Sequence, residues 1–152
     1  MATLMALVGR CVLRYQRIEH TLKLLLPHLV KPGRDLEESV PDWREFLDSK
    51  FTLGPLVEKL KPGLNSERPD DAHSYLAIVV AERNDLVHHF FTKGRALTGT
   101  SDALENAIVE VRRRLENALP LEQTLLVAAD RFAHDLEYSL ATDLDDEAPH
   151  AL

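Results

Sequence analysis

The chain has 152 residues, 45% of them hydrophobic and 28% charged, with a net charge of −7. That length suits one domain with a real core, and the acidic balance excludes a global attraction for nucleic acid, so any such contact needs a local basic patch. A single cysteine, Cys11, excludes an internal disulfide and makes a reducing cytoplasm the default compartment.

The opening MATLMALVGRCVLRYQR has the apolar look of a secretory signal. It carries no cation before its apolar part, and Arg10, Arg14 and Arg17 interrupt the run, so neither a leader nor a membrane span is expected. Instead Leu4, Val8, Cys11, Tyr15, Ile18, Leu22, Leu25 and Leu29 alternate steps of four and three, one apolar seam along a long first helix. Arg10, Arg14 and Arg17 repeat on a neighbouring strip, which reads either as a solvated face or as a phosphate-facing strip, with Lys93, Arg95 and RRR (112–114) as further local cations.

Pro27 is placed to kink the end of this helix, and KPGRDLEESVPD (31–42), with two prolines and a glycine, reads as a loop. A short helix is expected from Thr52 to Leu60. KPGLNSERPDD (61–71) closes it and supplies Asp70 or Asp71 as the N-cap of a further helix running to Thr92. Gly94 and GTSD (99–102) make the next break, with Ser101 or Asp102 as cap. In the last segment Leu104, Ile108, Val111, Leu115 and Ala118 continue in phase to Leu125, Ala129, Phe132, Leu136 and Leu140, with Pro120 between them. A proline inside a helix costs about 3 kcal/mol, which favours two helices with Pro120 opening the second. The unbroken phase favours one long helix kinked at Pro120, and the balance tips slightly that way. With no strand alternation and no repeat, the chain reads as an all-α helical bundle: one domain over residues 1–143 and an acidic, frayed tail over 144–152.

The chemistry concentrates in AERNDLVHHFF (81–91). At about 100° per residue, Leu76, Val79, Val80, Arg83, Leu86, Val87, Phe90 and Phe91 share one broad arc, so an arginine lies within the apolar face. Asn84 and His88 stack along one edge of that arc with Ala77 and Ala81, an edge suited to a close helix–helix contact, while Glu82, Asp85 and His89 are expected on the other side. A guanidinium, an amide and an imidazole within reach of one pocket suit anion binding and proton transfer near neutral pH.

RNDLVH (83–88) resembles the R-N-x-x-x-H form of the motif of the HEPN superfamily, and the wider pattern, a small helical bundle with a long first helix and the motif late on an inner helix, is similar as well. The resemblance implies a metal-independent endoribonuclease, working without a cofactor as a homodimer in which two motif helices meet. It also implies a place in a toxin–antitoxin or defence system, with an antitoxin protein as a second partner. Carried onto this chain, it makes Arg83 the phosphate binder, His88 the proton-transfer group and Asn84 the residue that orients them. His89 satisfies a looser form of the spacing and ranks second. Some HEPN toxins carry a modified tyrosine in H-x-Y; here that position is Phe90, which argues against control by that modification. HEPN-like domains also include non-catalytic interaction modules, the alternative reading for this chain. A nucleotide-binding helical domain is a third, which requires a pocket beside Arg83 within one protomer.

Other chemistry is thinner. Asp85-x-x-His88 resembles half of a di-iron element but has no second copy. Asp130, His134 and Glu137 share a face of the ordinary solvated kind, His20, His28 and His73 are isolated, and Cys11 belongs to the seam, so no metal is expected.

Overall fold

A computed structural model describes residues 1–30, 36–64, 67–90 and 100–146, side chains excepted at 30, 36–39 and 139–146. The protein is an all-α bundle: α1 (Ala2–Val30), α2 (Leu36–Asp48), α3 (Leu53–Leu60), a 3-10 turn at Lys61–Gly63, α4 (Pro69–His88) and α5 (Ser101–Asp146). None of the described helices is long and apolar enough to cross a membrane.

The seam of α1 forms as its spacing dictates. Leu4, Cys11, Tyr15, Ile18, Leu22 and Leu25 are buried, Val8 and Leu29 are half-buried, and Leu26 and Pro27 join them. α5 lies alongside and runs in the same direction. Arg14 meets Leu115 and Glu122 midway, and the rings of His28 and Phe132 sit 4.7 Å apart further along. α4 runs opposite to α5: Tyr75 meets the turn Asn117–Leu121, and Asp85 meets Arg114. Leu53, Leu56, Val57 and Leu60 of α3 close the core against α1 and α4.

Several expectations need correction. Residues 36–42, read as loop, form the start of α2 despite Pro41. Val40, Trp43 and Phe46 give that segment a half-buried face, the Trp43 indole donates to the Leu24 carbonyl at 2.8 Å, and this docking outweighs the local breaker signal. The N-cap of α4 is Arg68, neither aspartate: Pro69 occupies the first helical position, where its missing N–H is harmless, and Asp70 and Asp71 fall in the first turn, favourable to the helix dipole. α4 stops at His88, short of the expected end; Thr92, like Phe91 and Gly94, lies outside the described residues. The Thr100 hydroxyl accepts from the Ala103 amide at 3.3 Å, so α5 is capped by Thr100 and not by Ser101 or Asp102. Residues 144–146 of the expected tail are the last of α5, which continues through Asp146; residues 147–152 lie outside the described residues.

Pro120 sits inside one continuous helix. The Tyr75 hydroxyl enters the ladder beside it, donating to the Asn117 carbonyl at 2.8 Å and accepting from the Leu121 amide at 3.1 Å. A side chain thus bridges the Asn117 carbonyl and the Leu121 amide, the pair next to the one whose bond Pro120 removes. Tyr75→Phe is expected to cost about 1 kcal/mol in urea unfolding, and Pro120→Ala to stabilise more in the Tyr75→Phe background than in the wild type. Equal gains in both backgrounds would show that the hydroxyl and the proline are not coupled.

Cys11 lies fully buried beside Tyr15. Burial pushes its thiol up to about 11 and raises the Tyr15 phenol as well. At pH 8 the group is therefore protonated and sealed. A thiol reagent such as Ellman's is expected to stay silent on the folded protein and to count one thiol in denaturant; rapid reaction of the native state would contradict this core.

Candidate functional site on α4

The roll of α4 about its axis is set by charge. Besides Leu76, Val79 and Leu86, its buried residues include Glu82, 8% exposed. Glu82 Oε1 accepts from Arg113 and from Asn117 Nδ2 at 3.0 Å. One turn on, Asp85 Oδ2 accepts from Arg114 NH2 at 2.6 Å, and Glu110 Oε1 takes a bond of the same length. Arg114 is 2% exposed and packs over the Phe90 ring. Burial alone would lower its pKa, but the Asp85 hydrogen bond and the Glu110 and Asp85 charges outweigh that and raise it. The guanidinium stays charged in the core.

This ladder turns the buried side of α4 roughly 60° from the apolar arc that periodicity alone defines. Glu82 and Asp85, expected outside, face α5; Val87, expected inside, is 46% exposed. The side directly opposite the core then carries Ser74, Ala77, Ala81, Asn84 and His88, all exposed, with Ile78 and Val87 at its margins. From Ser74 to His88 no exposed residue of α4 is Lys, Arg, Asp or Glu. A solvated helix face normally carries such residues.

The motif residues are divided between two environments. The Arg83 side chain, 13% exposed, reaches towards α1, and its Nε donates to Glu19 Oε1 at 3.0 Å. Its NH1 donates to Asn84 Oδ1 at 3.1 Å, so these two motif residues do meet. His88 joins neither: its imidazole is exposed, with the His89 ring 6.2 Å away as its ring neighbour. His89 was placed away from the motif by helical extrapolation, but the helix ends at His88, and both rings stand at the same exposed end. Phe90 is buried.

Glu19 is the residue that pattern reading missed. It is the one acidic side chain of α1, at the margin of the seam opposite the arginine strip, and that isolation was the available signal. The strip itself is largely occupied. Arg14 Nε is 2.6 Å from Glu122 Oε2 and its NH1 donates to the Leu115 carbonyl; Arg17 is 3.3 Å from Glu122 Oε1. Arg10 is exposed and lines a shallow groove between α1 and α5 with Arg14 and Arg112. Of the Arg112–Arg114 triplet, Arg113 and Arg114 are held by the α4 carboxylates. Lys93 and Arg95 lie outside the described residues. Among the described residues, two grooves run along the α1–α5 seam, and neither of these is lined by Arg83, Asn84 or His88. Asp85, the carboxylate of the di-iron-like element, is engaged by Arg114.

Comparison with protein-family models, with curated proteins and with solved structures gives no match to this chain.

Removing one partner of a buried ion pair leaves the other charge uncompensated. Arg114→Met is expected to destabilise by about 3 kcal/mol in urea unfolding, whereas Arg17→Met, at an exposed arginine whose buried partner Glu122 keeps Arg14, should change stability by less than about 1 kcal/mol. Equal effects at the two sites would remove the ladder from its structural role.

Proposed function

We propose that this chain is a HEPN-like, metal-independent endoribonuclease that works as a homodimer through α4. The observation that carries the reading is the uncharged exposed back of α4, from Ser74 to His88, with Asn84 and His88 on it and Arg83 bonded to Asn84 at its edge. Small residues at Ala77 and Ala81 let a second α4 approach closely, which brings two copies of the motif to one cleft. No exposed carboxylate on that face repels the phosphate.

In such a cleft one His88 takes the proton of the ribose 2′-hydroxyl as its oxygen forms a bond to the adjacent phosphorus. The bond from phosphorus to the 5′-oxygen breaks, and that oxygen takes a proton from the second protomer's His88. The products are a 2′,3′-cyclic phosphate and a 5′-hydroxyl. Arg83 stabilises the charge that develops on the phosphoryl oxygens. Arg10, with Arg14 and Arg17 behind it, supplies a further contact for the RNA backbone, and an antitoxin protein is the partner such an activity would require.

A second reading is favoured by one observation. Arg83 is paired with Glu19 inside the protomer, as a structural arginine would be. In that case the same face serves a non-catalytic interaction module.

Purified protein with EDTA present is expected to cleave single-stranded RNA, with Arg83→Ala and His88→Ala each slower by on the order of 100-fold or more. Ala81→Glu should dissociate the dimer in light scattering and abolish cleavage. A well-folded wild-type dimer that leaves varied RNAs intact supports the module; a wild-type monomer sinks the homodimeric ribonuclease.

A further inference from the structure

We propose that Glu19 is a positioning residue for Arg83, its carboxylate fixed by the N-terminus of α3 and holding the guanidinium ready for a phosphate. The inference rests on the ribonuclease reading and deepens it.

Glu19 Oε1 receives two hydrogen bonds, one from the Leu53 amide at 2.9 Å and one from Arg83 Nε at 3.0 Å. Leu53 is the first residue of α3, and Thr52, the N-cap of that helix, makes no side-chain capping bond. A carboxylate from α1 therefore does the capping across the fold, where the positive end of the helix favours it. Because α3 holds Glu19, the acceptor for Arg83 stands in place whatever Arg83 binds.

The guanidinium is consequently gripped on one edge. Nε is bonded to Glu19 and NH1 to Asn84 Oδ1, while NH2 is bonded to nothing among the described residues and is not sealed from water. A planar donor with its Nε edge committed and its far end open meets a phosphoryl oxygen without having to search rotamers first. The same contact that makes Arg83 look structural thus preorganises it, and preorganised donors are those that stabilise developing charge.

The experiment separates capping from positioning with a second cap. Four proteins, wild type, Glu19→Ala, Thr52→Asp and the double variant, are compared by thermal melting, by exchange of the Arg83 Nε–H in NMR and by RNA cleavage with EDTA. Thr52→Asp alone should cleave like the wild type. Glu19→Ala should melt lower, lose Nε–H protection and show a kcat at least about tenfold down, with KM changed by less than about threefold. In the double variant the aspartate caps α3 and melting recovers, while Nε–H protection and kcat stay low. Glu19→Gln, which keeps an oxygen that can accept both bonds, should return kcat to within about threefold of the wild type. Recovery of cleavage in the double variant would reduce Glu19 to a cap and overturn the inference while the ribonuclease stands. Full kcat in Glu19→Ala does the same, and a folded wild type that cleaves nothing overturns the ribonuclease and the inference with it.

Discussion

A guanidinium at 2% exposure cannot sit in a helical core unless carboxylates come with it, and the position of Arg114 governs much else in this fold. It lies on α5, so its partners must come from α5 itself and from whichever helix packs there. Glu110 is one turn back on the same helix; Asp85 comes from α4. Glu82 adds a second rung through Arg113 and Asn117. Two rungs one turn apart determine the roll of α4, because a rotation that returned Val87 to the core would carry Glu82 and Asp85 away from their donors. The apolar residues of α4 do not define a roll so sharply: Ile78, Val80 and Val87 are spread around the helix, and Ile78 and Val87 remain exposed. The placement of Asn84 and His88 on the outer side is a consequence of the ladder.

The same pairing changes what the basic residues can contribute. Sequence proximity makes Arg112, Arg113 and Arg114 look like a patch, and helical spacing does so for Arg10, Arg14 and Arg17. In the fold the members facing inward meet Glu82, Asp85, Glu110 and Glu122, and those on the outer rows remain available. Arg10 and Arg112 therefore stand as exposed cations along the α1–α5 groove, while Glu19 and Arg83 occupy the far margin of α1, roughly 160–180° around the helix from Arg17 and Arg10. Within one protomer the strip and the motif do not form a continuous positive track. RNA spanning both would have to wrap the bundle or cross to a second copy.

For α1 and α5, helical existence and phase were legible in the sequence because they depend on near neighbours. The seam of α1 comes from steps of three and four, and the in-phase residues across Pro120 carried more weight than the proline, since an unbroken stripe has only one continuous partner to bury against. α2 was hidden because its local signals, Pro41 above all, point to a loop, and the contacts that outweigh them, Trp43 to Leu24 and to the Phe132 ring, come from other helices. The roll of α4 was hidden for a related reason. Periodicity assigns charges outward unless a partner is known, and the partners of Glu82 and Asp85 lie about thirty residues on, in a segment whose own charges looked like a basic patch. Arg83, expected within the apolar face, is half-buried at the margin towards α1; its partner sits 64 residues earlier, and nothing in the motif points to it.

The two ends of the motif therefore differ in kind. Arg83 is restrained inside the protomer by α1, α3 and its neighbour Asn84, so its orientation exists before any assembly. His88 stands in water at the last helical position, where nothing in the protomer bonds its imidazole among the described residues. A proton-transfer group needs a fixed position relative to the proton it moves, and only another surface laid against the back of α4 can supply that. A binding module has no such need: it would work as well with an alanine at His88, provided the face stayed uncharged. The fold thus leaves His88, not Arg83, as the residue whose surroundings depend on what α4 meets.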